Sequence, residues 1–361
     1  MPVPKWQRAA IVTAITASAF AGVYLLLSKF AGFGHMLNEI RHGDPAWLAA
    51  AAALELLSLG GYLALFAGVV ARGVERIGWW VSVQIPLAGI AALRVLATGG
   101  AGGFAVQAWA LRRAGMPART IASRLATNVV IQYGVYLGAL TVCGIGLWTG
   151  LLPGGGSFAL TLVPALFAAA VIAGVATLAA LPAVPERYLA APAGDPRRSR
   201  QALRWLTVAY STLRTGVRSA LALLAKPRPW LLGALVYWGF DVAVLWCAFR
   251  AFGHAPVVPV VLAAYFIGTL ADLLPFPGGI RGVDGGMIGV LLAFGVPSSR
   301  AVVAVLVYRA FSFWLPTLPG VASYFKLRAT VRGWQRVARH RDSSAQMRGP
   351  DDVLAAGDAS V

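Results

Sequence analysis

Four carboxylates lie where carboxylates are costly: Glu55, Asp241, Asp272 and Asp284 sit within or beside long apolar runs, in a chain with only 13 acidic residues. Ionised groups in hydrocarbon need a partner or a wet cavity, so each is a candidate for function. Their natural partners are Arg94, Arg124, Arg281 and Arg309. Arg309, in VYRAFSFWLP, is too deep in its run to reach the surface easily. A guanidinium there can grip a phosphate with two parallel hydrogen bonds, helped by backbone N–H groups in glycine-rich turns and at helix N-termini. The alternative is structural: an Arg309–Asp272 or Arg309–Asp284 pair that only locks helices together. Gln107, Asn128 and Gln132 fit a polar path or interhelical hydrogen bonds equally well.

The elements that carry these residues are membrane spans. The 361 residues are 58% hydrophobic and 12% charged, against roughly 25% charged in soluble domains. Crossing about 30 Å of hydrocarbon takes roughly 20 apolar residues. Such runs occupy 9–28, 46–70, 80–98, 118–148, 157–181, 229–252, 257–274 and 300–325. Two glycine-led segments between them, 98–113 and 275–294, begin with helix-breaking residues and then offer only about a dozen helical residues, short of a regular span. The expected fold is therefore an all-α polytopic membrane protein of about 8 full transmembrane helices plus 2 short broken or re-entrant elements. The first apolar run has no convincing signal-peptidase site and is read as an uncleaved helix.

Positive charge orients the chain. If both short segments cross, Lys5, Arg8, Arg72, Arg76, Arg112, Arg113, Arg119, the stretch Arg187 to Arg228 and the tail from Lys326 to Arg341 are cytoplasmic. The outer side keeps little beyond Lys29, Arg41, Arg250 and Arg300. If both are re-entrant, nine basic residues between Arg187 and Arg228 fall outside, against the positive-inside bias. Both termini are expected in the cytoplasm, in a cell membrane. That bias absorbs the net charge of +18, so no nucleic-acid partner is expected.

The basic linker 183–228 repeats Leu203, Leu206, Tyr210, Leu213, Val217, Leu221 and Leu224 at helical spacing, as in an interfacial amphipathic helix. Residues 1–333 read as one transmembrane domain and 334–361 as a disordered cytoplasmic tail. Trp79, Trp80, Trp148, Trp205 and Trp230 fall near span ends, where indoles anchor at the interface.

A shift of 180 residues superimposes Ala91 on Ala271, Leu93 on Leu273, Gly99 on Gly279, Gly102 on Gly282, Leu111 on Leu291, Gly115 on Gly295 and Pro117 on Pro297. The halves, about 80–148 and 257–326, are expected to be inverted repeats, an arrangement by which transporters place a site near the midplane. No HxxxH, HExxH, Walker or GxSxG motif occurs, and Cys143 and Cys247 stand apart, so neither cofactor nor metal is expected.

The second broken element together with the next span, LPFPGGIRGVDGGMIGVLLAFGVPSSRAVVAVLVYRAFSFWLPTLPG, resembles the hallmark of the lysylphosphatidylglycerol synthase transmembrane family, or flippase-like domain. Pro275, Pro277, Gly278, Gly279, Gly282, Gly295, Val296, Arg309, Trp314 and Pro316 match its pattern, with Asp284 near the usual Glu. Gly99, Gly100, Arg112 and Arg113 fit the earlier motif, which here lacks its Pro, Glu and Arg. The resemblance covers about residues 9–330 and implies a stand-alone translocator of an anionic phospholipid or lipid-linked sugar. The aminoacyl-transferase domain of the best-known members does not fit in the short tail; a separate lipid-modifying enzyme is a possible partner. The expected substrate-binding set is Arg309, Arg281, Asp284, Asp272, Gly278, Gly279, Gly282, Gly99, Gly102, Gln107, Arg124 and Trp314. A membrane enzyme using Asp272 or Asp284 as general base, or a scaffold in envelope lipid biogenesis, is the alternative.

Overall fold

A computed structural model describes residues 41–95, 101–182, 198–226, 228–270 and 280–347. Among these, ten α-helices succeed one another: α1 (Pro45–Phe66, extended by a π-helical turn, Ala67–Ala71), α2 (Trp79–Val95), α3 (Ala101–Arg113), α4 (Ala118–Trp148), α5 (Phe158–Ala180), α6 (Arg198–Leu224), α7 (Gly233–Ala251, led by a 3-10 turn, Pro229–Leu232), α8 (Val258–Leu270), α9 (Ile280–Ala293) and α10 (Ser298–Met347). With every backbone N–H and C=O paired within a segment, helices are the form in which an apolar chain can cross lipid.

Five described helices are long and apolar enough to cross: Pro45–Ala71, Ala118–Trp148, Phe158–Ala180, Pro229–Ala251 and Ser298–Arg336. They fall on expected spans. The run at 9–28 lies outside the described residues. The run at 80–98 forms α2, of 17 residues, and that at 257–274 contributes α8, of 13. At the carboxyl end, α10 stays helical to Met347, past the boundary at 333 where a disordered tail was expected. Leu327 and Val331, just before that boundary, are buried in the core, and residues 348–361 of the expected tail lie outside the described residues.

Two hairpins stand out. Gly89 on α2 lies against Gly103 and Gln107 on α3, and Gly268 on α8 against Gly286 and Met287 on α9, so each short helix folds back on its predecessor. At about 1.5 Å per residue, α3 and α9 span roughly 20 Å, short of the full hydrocarbon thickness. The turns after these two helices are built alike. Gly115 N–H donates to Arg112 and Met116 N–H to Leu111, while Gly295 N–H donates to Leu292 and Val296 N–H to Leu291. Gly115 and Gly295 both take positive φ, 97° and 80°, conformations that a side chain would oppose. Pro117 and Pro297 then start α4 and α10. The sequence repeat is thus a repeat of hydrogen bonds. Three helices long and apolar enough to cross, α4, α5 and α7, lie between the hairpins in the chain.

The centre is the antiparallel pair α1·α7. Gly61 and Gly233 let the backbones approach so closely that a Cβ on Gly61 would stand 2.7 Å from the Gly233 carbonyl oxygen. Ser58 Oγ donates to Tyr237 O (2.8 Å) and Asp44 N–H to Ala251 O (2.9 Å), fixing the register. On the periphery, α5 exposes Val163, Leu166, Phe167 and Ile172 and buries small residues such as Ala165 and Ala168, as a lipid-facing helix should.

Candidate functional site

Moving along α1 from Asp44 to Ser58 to Gly61 moves back along α7 from Ala251 to Tyr237 to Gly233. That register sets Glu55 opposite Asp241, and the two carboxyl groups meet. Glu55 is 5% exposed and Asp241 7%; each lies about 15 Å along its helix from the end joined by the Asp44–Ala251 bond, near half the depth of a bilayer. Asp241 Oδ2 accepts from the Tyr265 hydroxyl on α8 and from the Tyr308 hydroxyl on α10 (3.1 Å). Two tyrosines thus satisfy one carboxylate oxygen, as burial of a polar atom requires.

Next to this group, Arg309 Nε on α10 donates to Asp284 Oδ1 on α9. The pair keeps 22% and 27% of its side-chain surface accessible, so it is the part of the cluster open to the surroundings. Arg309 stands about 16 Å from the start of α10, level with Glu55 and Asp241. The last residues of α2 bring in Arg94, which donates to Phe313 O and to Thr317 Oγ1 (3.0 Å) and lies 5.1 Å from the centre of the Phe313 ring. Thr317 Oγ1 also donates to Phe313 O, so Arg94 shares that carbonyl with the threonine that it contacts. Arg94 is within electrostatic reach of Glu55, Asp241 and Arg309. Five helices, α1, α2, α7, α9 and α10, therefore place two cations and three carboxyls at one depth.

An aromatic wall backs the cluster. Trp238 is tilted against Tyr136 and edge-on to Tyr237, Tyr136 is edge-on to Phe266, and Tyr265 to Tyr308. Trp238 Nε1 donates to Gln132 O (2.8 Å). On the other flank, Gln107 Nε2 reaches the Tyr62 hydroxyl at 3.4 Å and packs over Gly89.

The expected residues separate accordingly. Arg309 and Asp284 are together, and Gln107 and the buried Gly102 belong to the neighbouring hairpin helix α3. Trp314 is half-buried and edge-on to Phe313, the residue that receives Arg94. Arg124 is elsewhere: its Nη1 donates to Val70 O (2.9 Å) and Arg72 O (2.7 Å), roughly 22 Å along α1 from Glu55. There it satisfies carbonyls at a helix end, because the run of α4 puts it one membrane leaflet away from Arg309. Gly99, Asp272, Gly278 and Gly279 lie outside the described residues, as does the side chain of Arg281; Gly282 is in the first turn of α9. Arg94, Glu55 and Asp241 join the cluster although they were not in the expected set. Their signal was an ionisable residue in an apolar run. Tyr62, Tyr237, Tyr265 and Tyr308 carried none, since tyrosine is unremarkable in a span.

A family model described as lysylphosphatidylglycerol synthase TM region matches residues 10–320. A UPF0104 membrane protein of Methanothermobacter thermautotrophicus is 28% identical over 343 residues, which cover 88% of this chain and 95% of the relative. Two further matches to UPF0104 membrane proteins of that organism are 34% identical over 91 residues and 32% over 89, each covering 24% of this chain and 26% and 25% of the relative.

Proposed function

The chain belongs to the lysylphosphatidylglycerol synthase transmembrane region family, and from that premise we propose that this multi-pass membrane protein moves an anionic lipid, or a lipid-linked sugar phosphate, between leaflets. The observation that carries this reading is the partly accessible Arg309–Asp284 pair at mid-depth, between a hairpin helix and a long span. An arginine held by one carboxylate can exchange that partner for a phosphate of equal charge, so a headgroup can enter without leaving a bare cation in lipid. Hairpins that enter from opposite faces give the headgroup a way in from one side and out to the other. The lipid tails would stay outside, along surfaces such as that of α5.

The same pair weighs against general-base chemistry, because a carboxylate committed to a guanidinium is a poor proton acceptor. In this reading the protein sits in the cell membrane with both termini and α6 on the cytoplasmic side. A separate lipid-modifying enzyme would supply or consume the lipid.

The test is reconstitution into phosphatidylcholine vesicles that contain a fluorescent phosphatidylglycerol, with loss of outer-leaflet fluorescence after a membrane-impermeant quencher as the readout. The wild type is expected to make the inner-leaflet pool quenchable, and Arg309→Ala to abolish this while helicity stays close to wild type, at a cost of about 1–3 kcal/mol for the unpaired Asp284. Translocation that survives Arg309→Ala would remove Arg309 from the site.

A further inference from the structure

Glu55 Oε2 and Asp241 Oδ1 are buried and have no donor. Both side chains are more than nine-tenths buried, and each carboxyl group's neighbour is the other. Two carboxylates in contact and cut off from water cannot both stay ionised, since the charges repel where nothing screens them. The groups that face them are Arg94 on α2, Tyr237 on α7, Tyr265 on α8, and Tyr308 and Arg309 on α10. Both arginines already have partners, Arg94 on Phe313 O and Thr317, Arg309 on Asp284. The tyrosines donate to Asp241 Oδ2 and leave Asp241 Oδ1 and Glu55 Oε2 without a donor. A metal cation would want several oxygen acceptors around it, whereas the surroundings here are donors.

We propose that Glu55 and Asp241 form a proton-binding site, one proton held between Glu55 Oε2 and Asp241 Oδ1, and that its occupancy is linked to the anion carried at Arg309. The linkage rests on the translocase reading. Arg309 is already balanced by Asp284, so an anionic headgroup that joins them adds one negative charge beside the carboxyl pair, and the pair holds its proton more firmly. By reciprocity, a protonated pair binds the headgroup more firmly. The anion and the proton then travel as a neutral couple, and a proton gradient can drive the lipid.

Infrared spectroscopy of the full chain in phosphatidylcholine vesicles tests the site without any transport measurement. At neutral pH the wild type is expected to show the C=O stretch of a protonated carboxylic acid that shifts in D2O. Glu55→Gln and Asp241→Asn should each remove it, because the remaining carboxylate gains an amide donor and the field of two arginines. A wild type with no such band, or a band that survives both substitutions, would overturn the proposal. So would a band that appears only after sodium is withdrawn, which would make the pair a sodium site. When phosphatidylglycerol is included in the vesicles, the pH at which the band fades should rise; an unmoved midpoint would overturn the linkage. If the band behaves as expected and no lipid moves in the vesicle assay, the translocase reading fails and the proton site stands. If lipid moves and there is no band, the reverse holds.

Discussion

Replacing Tyr265 with Phe takes one of two hydroxyl donors from Asp241 and leaves the ring in its T-shaped contact with Phe266. The expected loss is about 1–3 kcal/mol, the usual range for a hydrogen bond to a carboxylate, read from the unfolding transition in detergent. Tyr308→Phe should cost less, since its bond at 3.1 Å is the longer. Asp284→Asn separates binding from folding. It keeps the shape of the side chain but leaves the Arg309 charge without its carboxylate, so the resting protein should lose about 1–3 kcal/mol while its hold on an anionic lipid strengthens. Native mass spectrometry of the purified variant should then show more co-purifying phosphatidylglycerol than the wild type. Equal or lower retention would mean that Asp284 helps to bind the lipid and does not compete with it.

At the scale of elements, the crossing of α1 and α7 sets where Glu55 and Asp241 meet, and neighbouring glycines test it. A methyl at Gly61 would fall 2.7 Å from Gly233 O and 2.9 Å from the Tyr237 nitrogen, both backbone atoms that can move only with their helix. Gly61→Ala is expected to cost about 1–3 kcal/mol by forcing the helices apart. Gly60, one residue away, has nothing within 4 Å of its Cβ position, so Gly60→Ala should be neutral or stabilise by up to about 1 kcal/mol through helix propensity. Denaturant midpoints of the two variants decide between close packing and simple propensity. The amphipathic helix α6 makes a second case. Its buried stripe is narrow, Gly216, Val217 and Ala220, set against α4, and it leaves Leu206, Leu213, Leu221 and Leu224 exposed. Tyr210 and Arg214 tie it to the end of α5 through Pro182 O (2.9 Å) and Leu181 O (2.7 Å). Exposed leucines beside arginines belong at a membrane surface. A spin label at Leu213→Cys should be relaxed more by oxygen, which partitions into lipid, than by a water-soluble nickel chelate, and a label at Arg218→Cys should show the reverse.

For the molecule as a whole, the two hairpins make a prediction about sidedness. Arg113, the last residue of the first hairpin, and Ser299, just after the second, are both exposed. An impermeant maleimide added outside intact cells should label Ser299→Cys, and should reach Arg113→Cys only after permeabilisation. Native Cys143 and Cys247 are 4% and 3% exposed and should stay silent. Labelling of both positions from one side would rule out the inverted arrangement. Much of this was legible along the chain. Apolar runs dictate spans, since uncompensated backbone polar groups are forbidden in lipid. Glycine and proline mark where helices break, as Gly115 and Pro117 do again at Gly295 and Pro297, because φ and the missing N–H are properties of the residue itself. Arg309 and Asp284 likewise stood out by charge alone. What the sequence could not assign was partnership. Arg124 and Arg94 are both arginines in apolar surroundings, yet one caps carbonyls at the end of α1 and the other completes the cluster. Glu55 meets Asp241 across 186 residues of chain only because Gly61 and Gly233 let two helices touch in one register. Burial cost is local and can be read from one residue, whereas a charge is compensated by a neighbour in space, and only the packing of helices decides which neighbour that is.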